Sequence, residues 1–118
     1  MGKFILSLIT ALTLAHQAQA QNDPNTFPTF QNGKRLDEGC NRSGEPGAYC
    51  MGYVIGVVDT FAFVEASSPT KKFCLPKNTS EEQVKDVVVQ YLKDHPENRR
   101  YAAPSLIYTV LKEKFPCR

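Results

Sequence analysis

Residues 48–65 read AYCMGYVIGVVDTFAFVE, an eighteen-residue run that is apolar on nearly every side, and its reading decides the fold. Val, Ile, Phe and Tyr also favour strands, so propensity alone leaves the segment open. Length and spacing argue for a helix. Eighteen residues is long for a strand, and Gly52, Gly56 and Thr60 recur at intervals of four. On a helix these three form one flat ridge that a second helix can approach closely. A helix with so little polar surface belongs at the centre of a bundle or in an interface between copies of the chain. Asp59 is the exception: if buried, its carboxylate needs a cation or a hydrogen-bond donor.

Toward the C-terminus, SSPTKKFCLPKNT reads as a loop over 67–79. Ser80 then opens S-E-E-Q, a capping box with Gln83 at the reciprocal position. In the helix that follows, Val84, Val87, Val88, Tyr91 and Leu92 share one face, the spacing of a core stripe. Val89 lies on the far side with Glu82, Asp86 and Lys93. A valine inside a charged face can form the dry centre of a contact patch, so these four residues are the first candidate partner-binding site. The loop Ser67 to Lys72 is the second. His95-Pro96 ends the helix, because a residue before proline is driven out of the α region. Pro104 either kinks the last helix or starts it, and Leu106, Ile107, Val110 and Leu111 supply its buried face.

Toward the N-terminus, NRSGEPG reads as a turn, and a short helix runs back from Cys40 to an N-cap at Asn32. Residues 21–31, QNDPNTFPTFQ, are polar and proline-containing and read as an extended arm. Before them, Lys3, the apolar stretch FILSLITALTLA and the ending Ala18-Gln19-Ala20 have the order of a secretory signal peptide cleaved after Ala20. The apolar run is shorter than the ~20 residues that span a bilayer. The expectation is a soluble exported chain: signal 1–20, arm 21–31 and a single helical domain over 32–118.

Without Lys3, the 14 basic residues become thirteen against 12 acidic ones, mixed along the chain. That balance gives no reason to expect nucleic acid or a membrane surface as partner. The four cysteines, Cys40, Cys50, Cys74 and Cys117, all lie after the signal. An even count in a small exported chain points to two disulfides. A metal site is the weaker reading, because no C-x-x-C is present and His95 is the one histidine outside the signal. In an antiparallel four-helix arrangement Cys40 and Cys50 fall at one end and Cys74 and Cys117 at the other. The pairing Cys40–Cys50 and Cys74–Cys117 is therefore favoured over the two alternatives. The expected fold is all-α, a small four-helix bundle braced by two disulfides.

Catalytic chemistry is not signalled. No G-x-S-x-G, phosphate-cradling glycine loop or H-E-x-x-H occurs, every cysteine is assigned to a bridge, and no cofactor is implied. The reading is a binding protein rather than an enzyme.

C-M-G-Y-V-I-G-V-V-D at 50–59, F-C-L-P at 73–76, Gln83 and Tyr91-Leu92, H-P-E-N-R at 95–99 and F-P-C at 115–117 occur in order. Upstream, F-x-N-G at 30–33 and Cys40 extend the set. Together they resemble the Rap/Tai family, immunity proteins of bacterial type VI secretion systems. The resemblance implies an all-α periplasmic domain, often a homodimer, that binds and inhibits a cell-wall-degrading effector such as a peptidoglycan amidase. It assigns no effector-contacting residues, because the matched positions are cysteines, glycines, prolines and core aromatics. The competing class is an HdeA-like periplasmic acid-stress chaperone, also small, helical and disulfide-containing. Such a protein would expose apolar surface in acid and hold many clients.

Overall fold

A computed structural model describes residues 28–118; the segment expected to be a signal peptide and most of the expected arm lie outside the described residues. The chain forms four α-helices, α1 (Gly33–Cys40), α2 (Glu45–Ala66), α3 (Glu81–Asp94) and α4 (Ala103–Lys114), with a 3₁₀ turn at Pro96–Arg100 between α3 and α4. The result is a small all-α bundle braced by two disulfides, Cys40–Cys50 and Cys74–Cys117. The favoured pairing is the one formed.

Each helix boundary has a local cause. Asn32 caps α1, its side chain accepting from the Arg35 N–H at 3.0 Å. Both bonds of the capping box open α3: the Gln83 N–H donates to Ser80 Oγ and the Ser80 N–H donates to Gln83 Oε1. Pro104 sits in the first turn of α4 and starts it, where a missing N–H costs nothing. The turn before α2 is shorter than NRSGEPG suggests. It ends at Gly44, whose φ of 73° is left-handed, a conformation that glycine adopts without strain. Glu45, Pro46 and Gly47 already belong to α2, with Pro46 in its first turn.

The core draws on every helix. Leu36, Val54, Val58, Val84, Val88, Leu92, Leu106, Ile107, Val110 and Leu111 are buried, and Phe73 joins them from the loop after α2. Gly33 lets α1 close against the start of α4: a Cβ there would lie 2.5 Å from Leu106 Cδ1 and 2.8 Å from Arg99 Cα. Arg99 ties three segments together, donating from Nε to the Leu92 carbonyl at 2.7 Å and reaching Asp37 Oδ2 at 3.2 Å. Gln31 is buried, and its carbonyl accepts from the Ala103 N–H. The last residue before the Asn32 cap is thus fixed to α4.

Two expectations change. α2 is not central: it turns Cys50, Val54, Val58 and Glu65 inward and leaves much of its apolar surface in solvent. Asp59 is exposed, so its charge needs no buried partner.

Candidate partner-binding surfaces

Three surfaces stand out. The first is the outer side of α3, where Glu82, Asp86 and Lys93 are exposed as expected. Asp86 is 3.2 Å from the Nζ of the half-buried Lys85, a pair at the surface of small energetic weight. Val89 differs: it is half-buried, on the flank of the stripe formed by Val84, Val88 and Leu92. The face is therefore a charged strip with an apolar edge rather than a charged ring around a dry centre.

The second surface is the loop Ser67 to Lys72. Glu65, in the last turn of α2, holds it from beneath. One carboxylate oxygen accepts the Lys72 N–H, and the other accepts the Tyr108 hydroxyl at 2.8 Å. Glu65 is 8% exposed, and these donors, the Lys72 amide first, hold its carboxyl below the usual carboxylate range. The same contact pushes the Tyr108 hydroxyl up. Tyr108 also packs against Phe61, with ring centroids 4.7 Å apart, and Phe73, and Lys112 lies 5.0 Å over its ring. Within the loop, Ser68 Oγ donates to the Thr70 carbonyl at 2.9 Å. The exposed lysines at 71 and 72 thus sit on a fixed support. Neither Glu65 nor Tyr108 was singled out from sequence. The available signal was an acidic residue closing an otherwise apolar helix.

The third surface is the open side of α2. Tyr49, Phe63 and Val64 are large apolar residues in solvent, Tyr49 at 58% and Phe63 at 76% exposure. Gly52, Tyr53, Gly56, Val57, Thr60, Phe61 and Pro104 line a shallow groove of ≈ 580 Å³ along the helix. The ridge read from Gly52, Gly56 and Thr60 therefore exists, but among the described residues no helix lies on it. A Cβ at Gly52 or Gly56 would meet nothing within 4 Å. Glycine inside a helix is less favourable than alanine by ~1 kcal/mol, and nothing among the described residues requires it at either position.

His95 follows α3 as its C-cap, its ring 4.5 Å from that of Tyr91 and its Nδ1 3.2 Å from Glu97 Oε1. Among the described residues no cysteine is free, and no three His, Cys, Asp or Glu side chains form a group able to hold a metal.

The described residues form a small helical domain clamped by two cystines, with three candidate partner-binding surfaces. A family model described as Rap1a immunity proteins matches residues 32–117, from the cap of α1 to the last cysteine. The chain belongs to the Rap1a immunity protein family. Membership implies that it binds a cognate effector protein and acts as an inhibitor. No curated protein and no solved structure matches the chain.

Proposed function

We propose that the chain is exported through its N-terminal signal, cleaved after Ala20, and works in the periplasm as a single immunity-type domain over residues 32–118. There it binds and blocks a cell-wall-degrading effector of a type VI secretion system, a peptidoglycan amidase, and it acts as a pair of identical copies without chemistry of its own. The observation that carries this reading is that the family match spans the whole braced fold, both disulfides included. An inhibitor that must survive outside the cytoplasm gains from such bracing, because a preorganised surface loses less entropy on binding. The effector contacts are assigned to the outer strip of α3 (Glu82, Asp86, Val89, Lys93) and to the loop Ser67 to Lys72 on its Glu65 support.

The test is inhibition. The purified chain is titrated into candidate amidases acting on isolated cell-wall sacculi. Stoichiometric loss of amidase activity is expected, and reversing the charges at Asp86 and Lys93 should weaken it at least tenfold. Unchanged inhibition by that variant would remove the α3 strip from the reading. A chain that inhibits no amidase yet suppresses the aggregation of unrelated proteins in acid would be an acid-stress chaperone instead.

A further inference from the structure

Between α3, the 3₁₀ turn and α4 lies a small polar pocket that none of the three surfaces uses. Tyr91, Asn98, Tyr101, Ser105, Leu106 and Thr109 line it, and its volume is ≈ 190 Å³. Leu106 is buried and the other five are half-buried. The volume is below the ~300–1,000 Å³ of sites for drug-sized ligands. It equals about six waters in the liquid, room for one six-membered ring with its substituents.

The lining has unused hydrogen-bonding capacity. Ser105 and Thr109 stand four apart on α4 and share a face. Thr60, on α2, donates back to the Gly56 carbonyl at 2.8 Å. The Ser105 and Thr109 hydroxyls, by contrast, have no hydrogen-bond partner among the described residues. Asn98 Nδ2 donates to the Tyr91 hydroxyl at 3.0 Å, which leaves Asn98 Oδ1 to accept and the Tyr91 proton to be given. Arg100 Nη2 donates to the Tyr101 hydroxyl at 2.7 Å, so that proton is also available. None of the lining side chains carries a carboxylate, ammonium or guanidinium. An ion would therefore lose water there without gaining a counter-charge.

The backbone holds these groups in place. The Asn98 N–H donates to the His95 carbonyl and the Tyr101 N–H to the Asn98 carbonyl, both at 3.0 Å. The Gly33 N–H donates to the Tyr101 carbonyl at 2.9 Å, and the Tyr91 ring packs on that of His95. Such preorganisation limits the ordering cost of binding.

We infer that this pocket binds one neutral pyranose ring of a saccharide, with an N-acetylhexosamine as the fullest match. A pyranose has C–H bonds on its faces and hydroxyls around its edge. Its weakly positive C–H face suits the negative face of an aromatic ring, which Tyr91 and Tyr101 supply. Its edge hydroxyls both donate and accept, as Ser105, Thr109 and the Asn98 amide do. The N-acetyl group adds an amide N–H for Asn98 Oδ1. A flat aromatic ligand would match the tyrosines but leave the two hydroxyls of α4 unpaired. No residue of the α3 strip or of the loop Ser67 to Lys72 lines the pocket, so this site does not depend on how the effector is held. One ring of about 15 non-hydrogen atoms gives a dissociation constant on the order of 1 mM.

The experiment follows the amide resonances of the ¹⁵N-labelled secreted chain, with its native disulfides, as N-acetylglucosamine is added to about 50 mM, well above that constant. Saturable shifts should concentrate at Tyr91, Asn98, Tyr101, Ser105 and Thr109. Glucose and glucuronate differ by a carboxylate in place of a hydroxymethyl group, and glucuronate should bind about fivefold more weakly. Ser105→Ala with Thr109→Val keeps the shape of the helix. It should keep the unfolding temperature and weaken N-acetylglucosamine about tenfold. No saturable shift at these five residues, or shifts centred on the groove of α2, overturns the site. Glucuronate bound as tightly as glucose, or an affinity indifferent to the paired substitution, overturns it as well.

Discussion

Removing the disulfide that closes the C-terminus should cost this protein about as much as truncating one of its large core side chains. Cys74 and Cys117 are separated by 43 residues that include α3 and α4. In the chain-entropy account a loop of that length withholds ~4 kcal/mol of freedom from the unfolded chain. Cys74 is exposed and Cys117 half-exposed, so Cys74→Ser with Cys117→Ser opens no void and buries no hydroxyl. The Cys74 N–H still donates to the Phe115 carbonyl at 2.8 Å, which keeps the folded ends together. The loss then resides in the unfolded state. For a domain of this size ~4 kcal/mol corresponds to a fall in Tm of about 20 °C. Urea unfolding at pH 7 supplies both readouts: the stability difference and a steeper denaturant slope, because an unlinked chain exposes more surface on unfolding. A loss below about 1.5 kcal/mol with an unchanged slope would refute the loop-entropy reasoning. The Cys40–Cys50 bridge closes only 10 residues and contributes ~2.7 kcal/mol on the same account. Its removal adds a packing loss, because Cys50 is 1% exposed.

Gly33→Ala and Gly52→Ala should move stability in opposite directions in the same thermal scan. The first forces a methyl into Leu106 and the Arg99 backbone and costs about 2–3 kcal/mol; the second meets open space and gains about 0.5–1 kcal/mol. A common sign for both would refute the packing described here. Arg99→Lys should lose about 2 kcal/mol, because an ammonium cannot reach both the Leu92 carbonyl and the buried Asp37 as the guanidinium does. A double-mutant cycle with Asp37→Asn measures the coupling, and additive losses would show that the two do not interact. Glu65 gives a pH dependence. Its carboxyl is held below the ordinary value of 4.5, so the unfolded chain binds its proton more readily and stability falls with pH there. The contribution is complete above about pH 4.5 and is lost as the pH drops through the lowered folded value. Urea midpoints at pH 7, 4 and 3 should fall less steeply for Glu65→Gln than for the unmodified chain, and parallel curves would contradict the role given to Glu65.

Much of this fold is legible in the sequence, and what escapes has a physical reason. α3 carries two agreeing local signals, the Ser80–Gln83 capping box and the stripe Val84, Val88, Leu92, so its start and inward face are plain. Both bridges follow once four helices are arranged antiparallel, because the cysteines flank helix ends. The start of α2 is hidden because Pro46 and Gly47 are turn residues by composition, although proline is equally at home in a first helical turn. The support of the loop Ser67 to Lys72 is hidden for a different reason. Glu65 and Tyr108 are 43 residues apart, and a contact of that separation leaves no periodic trace. Val89 is half-buried rather than fully exposed, a difference that helical phase alone does not register.

The apolar character of α2 is the point at which fold and function meet. A helix of 22 residues needs long neighbours on every side to be buried, and this bundle has only helices of 8, 14 and 12 residues to offer. They cover one side. On the uncovered side a monomer would be best served by charged residues and strong helix formers. This chain instead has Tyr49, Gly52, Gly56, Thr60 and Phe63 there, and the helix-weakening glycines face open space among the described residues. Stability of the described fold alone does not call for these residues there.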